Sequence, residues 1–499
     1  MANPSLQIGN EKWAIKEDNL LGYSTAGTRF VPQPITMTRA TLGTRVNPSG
    51  LVEDVALLGS ELITNGDFAT DSDWNKGSNW TISGGSATSD GTDATSNLYQ
   101  TVVDFTNKTF LVEGFASNVT QGFVYVSLGG SDLQIVVNSN GSFKHYVTIS
   151  TANSTFFISA RNNFIGSIDN ISVKEATIDN LARVDYDGTA SSLLVEPQRT
   201  NLLPYSEDFT TWTTTGSAEV TPNTTISPDG TQNADTLNLL AGNYFYKVLT
   251  TGAGTFTLSC YVKVASGTLD FKMQSFGADG AISSGVFTAT TNWQRFEFTT
   301  TITANSGFYP VQVSGLVGGD FQIWGAQVEA GSYATSYIPT DGGTVTRVQD
   351  QYSKTGISNL INSEEGVLFV EMAALTNDTS FRAMSISDST TSNRITLVYN
   401  GGIRAFNVVG GSVSSNINYS TTITTTQKIA IVWSSSSFAL WVNGSKINSQ
   451  SGISIPSSTL NKLSLDQGNG GNNMFSKVKQ LQVFKTALTD TELETLTTI

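Results

Sequence analysis

At 499 residues the chain is too long for one core, and roughly 100–200 residues per domain implies several. Charged residues make up only 14%, against a usual figure of about 25%, and Ser, Thr, Asn and Gly fill the gap. A net charge of −14 excludes a phosphate-tracking nucleic-acid groove and disfavours an anionic membrane surface.

Residues 1–60 are the least repetitive part. Trp13, Leu20, Leu21, Tyr23, Phe30 and Val31 stand as apolar anchors among Gly and Pro. The first twelve residues lack a cationic stretch followed by an apolar run, so no secretory signal is expected. Nothing approaches the roughly 18 apolar residues of a membrane span, so no membrane insertion is expected.

A repeat then governs the architecture. Residues 61–175 open on Leu62-Ile63-Thr64-Asn65-Gly66-Asp67-Phe68, with Trp74 soon after, and close on Ile168-Asp169-Asn170-Ile171. Residues 200–340 open on Asn201-Leu202-Leu203-Pro204-Tyr205-Ser206-Glu207-Asp208-Phe209, with Trp212 soon after, and close on Ile323-Trp324-Gly325-Ala326-Gln327-Val328-Glu329. Between them, residues 176–199 resume the style of the N-terminal region: Ala182-Arg183-Val184 and Leu194-Val195-Glu196-Pro197 echo the Arg-containing runs at 38–46. The two pieces are expected together in space, with the first repeat inserted at an exposed turn.

Within the second repeat Phe256, Leu258, Cys260, Val262 and Val264 alternate with polar residues, the signature of a half-buried strand. Residues 341–363 read as a linker. From 364 to 499 a third unit follows, in which Val367, Phe369 and Glu371 alternate with Leu368, Val370 and Met372. Asn443-Gly444 predicts a two-residue hairpin. Thr489-Asp490-Thr491-Glu492 is a capping box that opens the one expected helix, with Leu488 and Leu493 at staple positions. Short strands, turn punctuation and little helical periodicity make the fold class all-β, as tandem antiparallel β-sandwiches: two jelly rolls, a third sandwich, and a small irregular N-terminal region.

Catalytic constellations are missing from the pattern. His145 is the one histidine, in a strand-like run and expected to face solvent, and no Gly-x-Ser-x-Gly elbow accompanies it. Cys260 reads as a small core residue. Glu364-Glu365 and Glu371 lack the spacing of a glucanase acid pair, so no enzyme is expected. The acidic turn at 71–77 puts Lys76 where an EF-hand loop needs Gly, and Ile82 where it needs Glu. Tyr99, Tyr125, Tyr244 and Tyr246 lie in or near strand-like stretches. Such rings either stack on sugars or pack at sandwich ends, and both readings stay open. Trp74, Trp80, Trp212, Trp293 and Trp433 are assigned to cores.

These residues support a resemblance. Ile8-Gly9-Asn10-Glu11-Lys12-Trp13, the Thr-Arg-Ala-Thr run from Thr38, Leu193-Leu194-Val195-Glu196-Pro197-Gln198-Arg199-Thr200-Asn201-Leu202 and Trp324-Gly325-Ala326-Gln327-Val328-Glu329 look like tailed-bacteriophage virion proteins. The repeats are similar to jelly-roll carbohydrate-binding modules. The third unit resembles the concanavalin-like, laminin-G-type lectin sandwich. The resemblance implies a structural calcium in the first repeat, held by Asp169 and by oxygens of the Asn65–Phe68 opening, Asp67 among them. Trp324 aligns with Asp169 in the second repeat, which is therefore expected to be metal-free.

The expectation is a head or tail fibre or decoration appendage, made in the host cytoplasm and residing on the virion. Residues 1–60 and 176–199 would anchor it to other virion proteins. The sandwiches would adhere to host-surface glycans, in a homo-oligomer such as a trimer. The rival readings are decoration without glycan binding, and a polysaccharide depolymerase.

Overall fold

The computed structural model describes residues 2–9, 13–16, 19–26, 29–102, 105–128, 134–150, 154–304, 306–452 and 454–499. Part of the N-terminal phrase (Asn10, Glu11 and Lys12) and the side chains of Leu21, Tyr23, Phe30 and Val31 lie outside this description. The chain is all-β, built from tandem antiparallel β-sandwiches. It divides into two compact units. One holds residues 1–55, 179–199 and 346–499; the other holds 56–178 and 200–345.

The first unit is a two-sheet sandwich. In one sheet Gly366–Ala374 pairs with Gln427–Trp433 and with Ser476–Phe484, and the hairpin Ser437–Val442/Ser445–Ser451 extends it. That hairpin turns on Asn443 and Gly444, whose φ of 50° and 78° are the positive values a type I′ turn requires. The other sheet runs from Arg29–Thr38 through Gln351–Lys354, Lys462–Ser464, Arg382–Ser387 and Arg394–Tyr399 to Ile403–Val409 and Ser412–Tyr419.

Leu368, Val370 and Met372 face the core between the sheets with Met384, Ile386, Ile395 and Leu397. Val367 and Phe369 point the other way, where Leu488 and Leu493 cover them from the helix Asp490–Thr497 and its approach. The expected capping box is formed at Thr489 and Glu492. Both faces of this strand are therefore dry, which explains its unbroken apolar run.

Three expectations about this unit are revised. The region expected to stand apart at 1–60 belongs to the sandwich. Leu6–Gly9 pairs with the last strand from Leu6↔Val483 to Gly9↔Gln480, and Leu6, Ile8, Leu20, Ile35 and Met37 enter its core. Residues 179–199 do the same, with Leu193↔Val478 and Val195↔Ser476. The supposed linker 341–363 is largely structural, since Tyr352, Ile357, Leu360 and Ile361 are core residues. Isolated apolar residues at these positions bury themselves by joining strands distant in sequence, which a local pattern does not report.

At the junction of these three segments lies a buried ion cluster. Asp350 takes Arg39 at 2.8 Å and also Arg183; Glu196 takes Arg183 at 2.6 Å and Arg347 at 2.8 Å. The Glu196 backbone N–H donates to Asp350 at 2.9 Å, and the Arg347 side chain donates to the Pro197 carbonyl at 3.0 Å. Burial pulls the Arg183 pKa down, but Asp350 and Glu196 outweigh it and raise the guanidinium above its ordinary value.

The second unit holds both repeats, each with its own core. In the first, Lys108–Leu128 and Thr155–Thr177 are long strands that pair with each other along most of their length. Their register shifts between Ser117 and Phe123, so they run through both sheets of the sandwich. In the second repeat Glu219–Thr225, Ala234–Leu239, Gly319–Ala330, Gly254–Lys263 and Gln294–Ile302 form one sheet; Thr213–Thr215, Tyr244–Leu249, Ser306–Gln312, Leu269–Gly277 and Gly280–Ser283 form the other. Cys260 is fully buried in this core, and burial pushes its thiol up to about 12.

Two side chains sit differently from expectation. His145, in Gly141–Ile149, is half-buried rather than solvent-facing, with Nδ1 at 3.4 Å from Asp341. Burial lowers its pKa and Asp341 opposes that. Trp293 is outside the core. Its ring lies under the Lys263 ammonium at 4.8 Å and its indole N–H donates to the Ile226 carbonyl at 2.9 Å.

Candidate functional site

In Tyr244–Leu249 the alternation sends Phe245 and Leu249 into the core and leaves Tyr244, Tyr246 and Val248 on the outer face of the sheet. The neighbouring strand is registered by Lys247↔Phe308, which sets Tyr309 beside Tyr246. Their rings are 4.9 Å apart and stacked at 27°, while Tyr244 meets Tyr309 edge-on at 6.3 Å. Tyr309 also pairs with Gln274, whose amide oxygen accepts from the Ser283 hydroxyl at 3.0 Å. Val248 and Phe276, 59% and 51% exposed, extend the face.

The result is a cluster of three tyrosine rings on a sheet face, of which Tyr244 is exposed and Tyr246 partly so, while Tyr309 and Gln274 are buried. Burial raises the Tyr309 pKa, and Tyr246 and Tyr244 add to the shift, so at neutral pH its hydroxyl keeps its proton and can donate. Tyr rings bury apolar area against a ligand while their hydroxyls hydrogen-bond. The C–H face and equatorial hydroxyls of a sugar match such a surface.

The first repeat carries a comparable face. Tyr99↔Phe157 and Tyr125↔Ser159 place Tyr99 and Tyr125 on one side of a sheet, with Phe157 and Ser159 between them. Tyr99 and Phe157 lie 5.5 Å apart; Tyr125 meets Phe123 at 4.9 Å, and the Arg161 guanidinium lies 5.7 Å from the Tyr125 ring. Asn97 accepts from the Ser159 hydroxyl at 2.6 Å on the same face. Each tyrosine pair thus belongs to its own sheet. Tyr309, Gln274 and Phe157 went unmarked in the sequence reading. Their signal was register, since each lies across from a marked tyrosine or in its row.

The opening and closing turns of the first repeat also meet. The Ile171 N–H donates to the Gly66 carbonyl at 2.9 Å, and a Cβ on Gly66 would lie 2.0 Å from the Ile171 carbonyl oxygen, so only glycine fits there. This contact brings Asp67 toward Asp169. Burial raises the Asp169 pKa, the Asn170 N–H opposes, and the Asp67 charge adds to the rise. Two carboxylates that repel each other beside backbone carbonyls are a donor set suited to a hard cation such as calcium. Among the described residues no group of three or more His, Cys, Asp or Glu gathers to hold a metal, so the remaining ligands would be backbone oxygens and water. In the second repeat the indole of Trp324 packs against Tyr337 and Tyr261 at ring distances of 4.6 and 5.4 Å.

The fold therefore defines a protein of tandem β-sandwiches with aromatic sheet faces. No protein family and no curated protein matches the sequence. Among solved structures the neighbours include carbohydrate-binding modules with sandwich folds. The CBM40 module of the Ruminococcus gnavus IT-sialidase, bound to α2,3-sialyllactose, is 15% identical; the match covers 27% of this chain and 83% of that one, with a TM-score of 0.24. The CBM22-1–CBM22-2 tandem of Paenibacillus barcinonensis Xyn10C is 12% identical over 55% of this chain and 98% of that one, at 0.22. Domain 4 of AbnA, a GH43 extracellular arabinanase of Geobacillus stearothermophilus in complex with arabinotriose, is 11% identical over 34% and 83%, at 0.26. TM-scores this low give these likenesses no weight for what this chain does.

Proposed function

We propose that the chain is a non-enzymatic adhesion protein of a tailed-phage virion, a head or tail appendage whose jelly rolls hold glycans on their aromatic sheet faces. The observation that carries the glycan reading is the Tyr244–Tyr246–Tyr309 cluster on one sheet face, which Tyr244 and part of Tyr246 present to solvent, with Tyr309 and Gln274 buried beside them. Support for the virion reading comes from the sequence phrases around Arg39, Glu196 and Trp324. The Tyr99–Phe157 and Tyr125 face of the first repeat supplies a second, weaker contact. Several faces per chain, multiplied in a homo-oligomer, gain roughly 10²–10⁴ in avidity without any new contact. Asp67 and Asp169 hold a calcium ion that pins the opening of the first repeat to its closing strand.

A glycan array probed with the full chain displayed multivalently tests the reading. Binding to a defined neutral glycan set, lost in Tyr246→Ala, is expected. A blank array leaves a decoration role without glycan binding. Immunolabelling of intact particles tests the virion assignment, which fails if no label is bound.

A further inference from the structure

The outer face of the second sheet of the 346–499 sandwich carries an arrangement that the tyrosine platforms do not explain. Arg394–Tyr399 and Ile403–Val409 are registered as Arg394↔Val408, Thr396↔Phe406 and Val398↔Arg404. Ile395 and Leu397 face the core, so Arg394, Thr396, Arg404 and Phe406 share the opposite face. The row of Phe406 lies between the rows of the two arginines. Their guanidinium carbons stand 5.4 Å and 4.7 Å from the ring centroid, and Phe406 is almost wholly covered.

In a chain of net charge −14 these two cations flank one ring, and neither is ion-paired with a carboxylate among the described residues. Arg394 donates to the Gln467 carbonyl at 2.8 Å, and Arg404 to the Asn416 amide oxygen at 2.8 Å. The nearest acid in electrostatic reach of Arg394 is Asp388, whose oxygens are already occupied by Thr390 and Asn393. Two donors beside the cations are buried and unpartnered: Nε of Arg394 and the hydroxyl of the fully buried Thr396. Two like charges at one ring, both partly exposed to solvent, repel, and unmade buried hydrogen bonds cost stability. An oxyanion at the exposed ends of the guanidiniums relieves the repulsion, and guanidinium forks match a carboxylate in shape.

The adjoining loop, Gln467 to Asn473, is rich in Gly and Asn and offers uncharged amides, groups suited to sugar hydroxyls. It is held in place by Asp466, which accepts from the Gly468 and Gly470 N–H groups, and by the Lys462 ammonium, which donates to the Gly468 carbonyl at 2.9 Å. We propose that Arg394 and Arg404 together bind the carboxylate of an acidic polysaccharide, a uronate-type sugar, at a site separate from the tyrosine platforms.

Affinity electrophoresis of the full chain in gels containing polygalacturonate, or its methyl ester, tests this. Retardation is expected in the acid polymer and at least about tenfold weaker retardation in the ester. Arg394→Gln combined with Arg404→Gln should weaken retardation in the acid polymer at least about tenfold. Arg404→Lys, which keeps the charge and loses the fork, should weaken it partially. Equal retardation by acid and ester, or a double variant that runs as the parent does, would overturn the site. Displacement by inorganic phosphate at the same anion concentration would overturn it too, by reducing it to a general anion trap.

Discussion

Asp350→Ala is the most demanding perturbation that the fold allows. In the parent, one carboxylate receives Arg39, Arg183 and the Glu196 backbone N–H, all fully buried. Its removal takes from Arg39 its only carboxylate among the described residues and leaves Glu196, already paired with Arg183 and Arg347, as the one anion of the cluster. Breaking a buried pair by deleting one partner costs about 3–5 kcal/mol. The orphaned N–H of Glu196 adds about 1–3 kcal/mol. The total, about 4–8 kcal/mol, is comparable with the whole stability of a domain at about 5–15 kcal/mol. In a unit of this size each kcal/mol moves the melting temperature by about 2–4 °C, so a drop of at least about 8 °C is expected. Calorimetry of the full chain measures it, with Asp350→Asn, which keeps the shape and one acceptor, falling between the two. A drop below about 3 °C for the alanine variant would refute the account of the cluster.

The calcium reading predicts that a chelator lowers the melting temperature of the parent and that Asp169→Ala removes this sensitivity; chelator-insensitive melting in the parent would end it. Cys260, buried with its thiol at about 12, should resist iodoacetamide at pH 8 in the folded chain and react once urea unfolds it; rapid labelling of the native protein would contradict its placement. Asp235 gives a pH dependence. Burial lifts its carboxyl to about 7, the N–H groups of Asn223 and Phe209 oppose this, and Asp208 adds to it. An acid with a raised native pKa binds its proton better folded than unfolded. Stability is therefore lost as pH rises from the unfolded value of 3.8 to about 7, by up to about 4 kcal/mol, and is level above that. Denaturant unfolding at pH 5 and pH 8 should show a larger fall in the parent than in Asp235→Asn; equal falls would place the titration elsewhere.

What the sequence made legible was local and periodic. The alternation at 256–264 and 367–372, the turn at Asn443-Gly444 and the capping box at Thr489 each have a cause within a few residues, and each is formed. What it concealed was non-local. Leu6 and Ile8 carry no local sign of a core strand because their strand partner lies almost a chain length away, at Val483 and Leu481. Ile357, Leu360 and Ile361 looked like linker because neither period 2 nor period 3.6 governs an irregular segment laid over a core. Tyr309 escaped notice because Pro310 follows it, and proline argues against a strand interior. The arginine face was invisible for another reason. Arg394 and Arg404 are ten residues apart in sequence, and only the hairpin register sets them around Phe406.

The ion cluster explains how a chain that leaves one sandwich twice can close it correctly. Residues 1–55, 179–199 and 346–499 must find one another across two inserted repeats. Apolar contacts alone would do this loosely, because one strand of Leu, Ile and Val can replace another at small cost. Charged partners cannot be exchanged in this way. Arg39 comes from the first segment, Arg183 and Glu196 from the second, and Arg347 and Asp350 from the third; the first brings a lone cation, and ion pairs of the other two run across segments, Asp350 to Arg39 and Arg183, and Glu196 to Arg347. A slip in any of the three leaves a buried ion unpaired at several kcal/mol, which penalises the wrong registers more than it rewards the right one. The arginines that looked at first like phrases of a particle anchor thus have a sufficient physical role inside the sandwich.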